Sequence, residues 1–131
     1  MIKKINHIAI VTPDLDEATP FWAEALGLTV AHREHVAEQG VDVAMLPIGE
    51  SSIELLQPTD MESGVARFME KRGPGIHHIC LEVDDLDAAL ARLKAAAVPL
   101  INEEPTIGAG GRRMAFVHPK GAGGVLVELY E

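Results

Sequence analysis

The stretch His7-Ile8-Ala9-Ile10-Val11-Thr12-Pro13-Asp14-Leu15-Asp16-Glu17-Ala18 decides the fold, because it returns as His78-Ile79-Cys80-Leu81-Glu82-Val83-Asp84-Asp85-Leu86-Asp87-Ala88-Ala89. At an offset of 71 residues His7 matches His78 and Ile8 matches Ile79, while Asp14-Leu15-Asp16 matches Asp85-Leu86-Asp87 and Ala18 matches Ala89. In each copy a histidine opens an apolar run of strand length, and a helical pattern follows. An internal repeat of this size means a supersecondary unit used twice.

The first helical pattern places Leu15, Ala18, Trp22, Ala25 and Leu26 on one stripe, with Asp14 as its cap and Gly27 as its stop. Pro20 falls inside it and should kink or shorten it. The second pattern aligns Leu86, Leu90, Leu93 and Ala97 and ends before Pro99. Strand-like segments follow each helix, at 28–35, 41–46 and 51–56 in the first half and at 100–103, 113–117 and 124–130 in the second. A helical bridge at 63–71 joins the halves and ends at Gly73-Pro74-Gly75.

The expected fold is therefore α+β, with two tandem βαβββ modules. It forms one domain over residues 1–131: module 1 at about 4–58, a connecting helix at about 62–72, and module 2 at about 75–131. A four-stranded sheet with one helix covers a single face, so the other face is available to line a cleft. Two such sheets set edge to edge would make a curved, half-open barrel with a ligand site inside.

Composition narrows the function. The 131 residues carry 11 Lys+Arg against 20 Asp+Glu, a formal charge of −9, which argues against nucleic-acid and anionic-membrane binders. Five aromatic side chains are too few for a base-stacking platform. One cysteine, Cys80, excludes an intrachain disulfide framework and a multi-cysteine zinc site. The basic start has an apolar stretch too short for a signal-peptide core, and no run approaches a membrane span, so a cytoplasmic protein is expected.

Four polar residues interrupt apolar strands. His7 and His78 lie on the first strand of their modules, and Glu54 and Glu128 on the last, 47 and 50 residues further on. A carboxylate inside so apolar a strand is costly unless it is paired, hydrogen-bonded or metal-bound. One strand histidine alone is more often an ordinary core residue. Duplication of both residue types at matched positions fits either a shared site for a divalent transition metal or a structural pair preserved by the repeat. Mixed nitrogen and oxygen donors suit Co²⁺, Mn²⁺, Ni²⁺ or Zn²⁺. Four protein ligands in an octahedral site leave two positions for Lewis-acid chemistry.

Other residues carry weaker signals. His77, adjacent to His78, should point to the opposite face of the strand. His32 and His35 read as surface, and His118 before Pro119 as either a structural hydrogen-bonder or a substrate contact. The glycines of 108–111 lack the Lys-Ser/Thr of a phosphate loop and fit a hairpin loop better.

The paired modules resemble the vicinal oxygen chelate superfamily and, within it, the family of methylmalonyl-CoA epimerases. The residues carrying this likeness are Asn6-His7-Ile8-Ala9-Ile10, Glu38-Gln39-Gly40-Val41, Ile53-Glu54-Leu55-Leu56-Gln57-Pro58 and Gly75-Ile76-His77-His78-Ile79. Gly108-Ala109-Gly110-Gly111, Phe116-Val117-His118-Pro119-Lys120 and Gly123-Gly124-Val125-Leu126-Val127-Glu128-Leu129 extend it almost to the end of the chain.

The resemblance implies metal ligation by His7, Glu54, His78 and Glu128, with cobalt the common ion. It implies interconversion of (R)- and (S)-methylmalonyl-CoA through a metal-chelated enolate, a role in propionate metabolism, and a homodimer. Glu128 and Glu54 are then the candidate acid/base pair, although some family members carry Gln at the position of Glu54. Certain epimerases also place a glutamate, proposed as a base, where this chain has Val43. A glyoxalase I-type lactoylglutathione lyase and a non-enzymatic small-molecule binder of the same fold are the alternatives. An anionic substrate would need local cations, and Lys71, Arg72, Arg112, Arg113 and Lys120 are the clusters available.

Overall fold

A computed structural model describes residues 1–131, and the repeat appears in it as two units. His7–His77 form one unit; Met1–Asn6 and His78–Glu131 form the other. Strand β1 (Ile2–Val11) therefore begins in the second unit and ends in the first.

In the first unit β1 is followed by α1 (Leu15–Pro20), β2 (His32–Val36), β3 (Val41–Ile48), β4 (Ser51–Pro58) and α2 (Gly64–Arg72). The strand order is β2-β3-β4-β1, with β1 parallel to β4 and the other pairs antiparallel. Asp14 caps α1 by accepting from the Asp16 and Glu17 amides. Pro20 has no N–H to donate, and beyond it the helix widens. Leu26 N–H reaches the Phe21 carbonyl across five residues, closing a π turn over Phe21–Ala25. The helix buries Leu15 against Ala44, Leu46, Ile53 and Leu55, with Ile8, Ile10, Trp22 and Leu28 packed around them. Burying one Leu of this kind is worth roughly 1.5–3 kcal/mol.

Gly40 turns the chain between β2 and β3 at φ +64°, with its amide donating to the Ala37 carbonyl. A Cβ there would lie 2.8 Å from Asp60 Cβ. Both the backbone angle and this close approach require glycine. Ser63 caps α2 through the Ala66 amide, and Gly73 at φ +74° ends it.

The second unit continues with β5 (Gly75–Val83), whose first three residues belong to the first unit, then α3 (Leu86–Ala95), β6 (Thr106–Ile107), β7 (Arg113–Val117) and β8 (Val127–Tyr130). The strand order is β5-β8-β7-β6, with β5 parallel to β8. Asp85 caps α3 through the Ala88 amide. Leu86 and Leu90 pack on Val83, Ala115, Val117 and Leu129. Each module is thus β-α-β-β-β, with one helix on one sheet face, as the repeat predicts.

Three expected strands differ. The 28–35 segment pairs as a strand only from His32, and Ala31 N–H bonds Met45 O just before it. The 100–103 segment forms a single bridge, Leu100 to Val117, and the short strand is Thr106–Ile107 instead. Here Asn102 replaces the ladder: its Oδ1 accepts from Phe116 N–H, while the Ile101 and Asn102 amides both donate to Phe116 O. The last strand starts at Val127 rather than 124, because Gly123 and Gly124 have φ of +65° and +94° and extend the preceding turn. No helix is long and apolar enough to cross a membrane.

Candidate metal centre

Alternation along the strands sorts each sheet into two faces. In the first module Ile8, Ile10, Ala44, Leu46, Ile53 and Leu55 face α1. The opposite face therefore carries His7, Ala9 and Val11 from β1, Glu54 and Leu56 from β4, and Val41, Val43 and Met45 from β3. Register agrees: Glu54 lies beside Ala9 on one side and Met45 on the other, and Val43 lies beside Leu56. The two polar residues on this apolar ground are fully or nearly fully buried, His7 at 0% and Glu54 at 4% exposure. His7 Nε2 stands 3.6 Å from Glu54 Oε1.

The second module repeats the arrangement. Leu81 and Val83 face α3, so His78, Cys80 and Glu82 of β5 lie on the other face. Glu128 is registered between Cys80 and Phe116, on the same face. His78 Nε2 lies 2.8 Å from Glu128 Oε2, and both side chains are buried. The Phe116 ring meets the His78 ring edge-on at 5.3 Å, fixing the orientation of the imidazole.

Each module thus brings together the histidine and glutamate that the repeat selects. Two donors bound about 2.1 Å from one cation in adjacent positions sit about 3 Å apart, and distances of 2.8 and 3.6 Å bracket that value. Imidazole nitrogen with carboxylate oxygen is a donor set suited to a divalent transition ion. The residues present therefore fit the group that the sequence implies.

The remaining histidines fall where the sequence places them. His77 is buried against Phe68 of α2, with ring centroids 4.6 Å apart. His32 and His35 are exposed and bonded to Glu34 and Asp42. His118 Nδ1 accepts from the Lys120 amide.

The cationic clusters are a different matter. Arg113 binds Asp87 Oδ2 at 2.9 Å and Glu131 Oε1 at 3.0 Å. The Asp87 hydrogen bond in particular raises its pKa further. Arg112 stacks over Tyr130 at 4.8 Å and donates to the Glu131 carbonyl. Both arginines thus anchor the C-terminal strand.

Glu82, beside the second pair, is held as a carboxylate. Hydrogen bonds from Asn6 and Lys3 lower its pKa against the opposing effect of burial, and Arg112 and Lys4 add to the lowering. Glu34 of β2 pairs with Val43, which puts it on the sheet face that carries His7 and Glu54. Its stretch His32-Arg33-Glu34-His35 is polar at every position, so alternation is invisible until the register with β3 is known.

Comparison with known proteins places the chain. Residues 6–116 match the family model described as the glyoxalase/bleomycin resistance protein/dioxygenase superfamily. The chain is 43% identical to the ethylmalonyl-CoA/methylmalonyl-CoA epimerase of Cereibacter sphaeroides, covering 98% of both proteins. It is 42% identical to the mitochondrial methylmalonyl-CoA epimerase of Homo sapiens, over 96% of this chain and 72% of that protein. A solved variant of the Streptomyces coelicolor methylmalonyl-CoA epimerase, in complex with 2-nitronate-propionyl-CoA, superposes with a TM-score of 0.95. That match has 39% identity and covers 99% of this chain and 94% of the other. This chain, with its two βαβββ modules, belongs to the glyoxalase/bleomycin resistance/dioxygenase superfamily, alongside the methylmalonyl-CoA epimerases.

Proposed function

We propose that the chain is a metal-dependent methylmalonyl-CoA epimerase, which interconverts the (R) and (S) thioesters by removing and returning the proton at C2. His7, Glu54, His78 and Glu128 would hold one divalent ion; their mixed donors suit Co²⁺, Zn²⁺, Mn²⁺ or Ni²⁺, and the family likeness puts Co²⁺ first. When bound, such an ion supplies positive charge for the negative charge that develops on the two substrate carbonyl oxygens.

The observation that carries this reading is the duplication of one buried His–Glu pair per module. Burial of these pairs excludes water, so charge developing there is stabilised by fixed groups. Glu128 takes or gives the C2 proton on one side of the substrate, and Glu54 is the candidate for the other. Arg113 and Arg112 are engaged by Glu131, Asp87 and Tyr130, so the thioester's phosphates draw on cations elsewhere, with Lys71, Arg72 and Lys120 the candidates. A homodimer belongs to the same reading and rests on the family likeness.

The test combines metal analysis of the purified protein with proton NMR of methylmalonyl-CoA in D₂O. Stoichiometric divalent metal, loss of the C2 proton signal and equilibration of the two stereoisomers are expected. A second reading, a lactoylglutathione lyase, has a 27% identical relative of that probable activity in Vibrio cholerae. Turnover of methylglyoxal with glutathione, and none of methylmalonyl-CoA, would favour it instead.

A further inference from the structure

Inverting a carbon that lies between two carbonyl groups needs a proton acceptor on each side of the enolate plane. Glu54 and Glu128, both of them candidate ligands, would serve as these two acceptors. The sheet faces that carry the His–Glu pairs hold two further carboxylates. Glu82 is engaged by Asn6, Lys3, Lys4 and Arg112. The other is Glu34.

Several observations aim Glu34 at the site face of the first module. Its neighbour Arg33 reaches back to Asp16 of α1 at 3.2 Å, so Glu34 points the opposite way. Its cross-strand partner is Val43, which in turn lies opposite Leu56, two residues along β4 from Glu54. Glu34 is partly buried between the exposed Arg33 and His35.

Distances permit the role. Two strand spacings and two residue rises put the Glu34 and Glu54 Cα atoms about 12 Å apart in a flat sheet. An extended glutamate covers about 5 Å of that, leaving room for a substrate carbon and one hydrogen bond. Glu34 Oε1 also lies 3.0 Å from His32 Nε2, and the His32 side chain is 56% exposed. This gives the carboxyl a path for exchanging its proton with solvent.

We propose that Glu34 is the second acid/base of the reaction, taking the place where Glu54 would otherwise serve; this rests on the epimerase reading. In one direction the Glu34 carboxylate accepts the C2 proton, and the C–H electron pair moves into the carbonyl groups as an enolate. Protonated Glu128 then gives its proton to the opposite face of C2. In the other direction the two residues exchange roles.

The experiment compares the metal-loaded wild type with Glu34→Gln, Glu128→Gln and the double variant Glu34→Gln/Val43→Glu. Each pure stereoisomer of methylmalonyl-CoA is followed in D₂O by NMR, with metal content and thermal midpoint measured in parallel. Glu34→Gln should slow interconversion by about 10²- to 10⁴-fold with metal content and midpoint unchanged. One stereoisomer should still exchange its C2 proton at close to the wild-type rate, through Glu128, while the other does not. A carboxylate returned at Val43 should recover at least about tenfold of the lost interconversion, since one such step is 1.36 kcal/mol of barrier.

Interconversion within threefold of wild type in Glu34→Gln would overturn the proposal. So would equal loss of exchange from both stereoisomers, which marks a structural role. A wild type that binds metal yet neither exchanges nor interconverts methylmalonyl-CoA would instead defeat the epimerase reading, and the proposal with it.

Discussion

Glu128 Oε2 lies 2.8 Å from His78 Nε2, with 5% and 4% of the two side chains exposed. At that depth, removing one member leaves the other as an isolated buried polar group, and the cost falls on stability as well as on chemistry. Adding an ion to both His–Glu pairs should therefore stabilise the folded chain measurably. At a hundredfold excess of ion over its Kd the gain is about 2.7 kcal/mol, or about 10 °C in Tm for a chain of this size. Differential scanning fluorimetry with EDTA, then with Co²⁺ or Zn²⁺ added back, reads this directly. A midpoint indifferent to both would count against a metal centre.

Glu128→Gln keeps the shape of the side chain but removes its basicity. Exchange of the substrate C2 proton with D₂O should fall by about 10²- to 10⁴-fold for the stereoisomer it serves. The variant must be loaded and assayed for metal, because the substitution also weakens a ligand. Undiminished exchange in a metal-replete sample would remove Glu128 as a base.

Glu82 sets an acid limit on stability. Its folded-state pKa lies below the ordinary value because Asn6 and Lys3 donate to its carboxylate. A lowered carboxyl pKa contributes stability that is fully present above the unfolded pKa, near 4.5, and is lost as pH falls through the folded one. The Tm of the wild type should therefore drop between about pH 5 and pH 3. Glu82→Gln should lower the midpoint at pH 7 and flatten that acid slope. A parallel profile for the two proteins would mean that other carboxylates dominate acid unfolding.

Two substitutions away from the site test the packing. Leu86 is fully buried beneath α3, and Leu86→Ala should cost about 2–5 kcal/mol in urea unfolding, through lost burial and the cavity left behind. Gly40→Ala should cost about 1–3 kcal/mol, because the new methyl carbon meets Asp60 Cβ at 2.8 Å on a backbone already at positive φ. A neutral result at Gly40 would show that the 59–63 turn can yield.

Much of this molecule can be read before folding it. The 71-residue offset between His7 and His78 predicts both modules, and Asp14 and Asp85 cap the two helices as their positions require. The ligand candidates were legible because a charged or polar residue in an apolar strand stands out, and standing out twice is informative. The 100–103 segment misled because it has a strand's composition. There the Asn102 side chain takes over a ladder hydrogen bond, a substitution that residue type alone does not reveal. Glu34 stayed hidden for the opposite reason: along the polar run 32–35 of an edge strand, the pairing with Val43 says which way its side chain points.

The π turn after Pro20 behaves as a one-residue insertion in a helix, and such an insertion carries a phase. Each residue advances an α-helix by about 100°, so the extra residue within Phe21–Ala25 resets the direction in which Leu26, Gly27 and Leu28 leave the turn. Leu28, whose amide bonds the Trp22 carbonyl and whose side chain packs on the first module's core, depends on that phase. Deleting one residue of the turn would regularise the helix while swinging Leu28 off its seat. In this stretch the more regular helix would make the less stable protein.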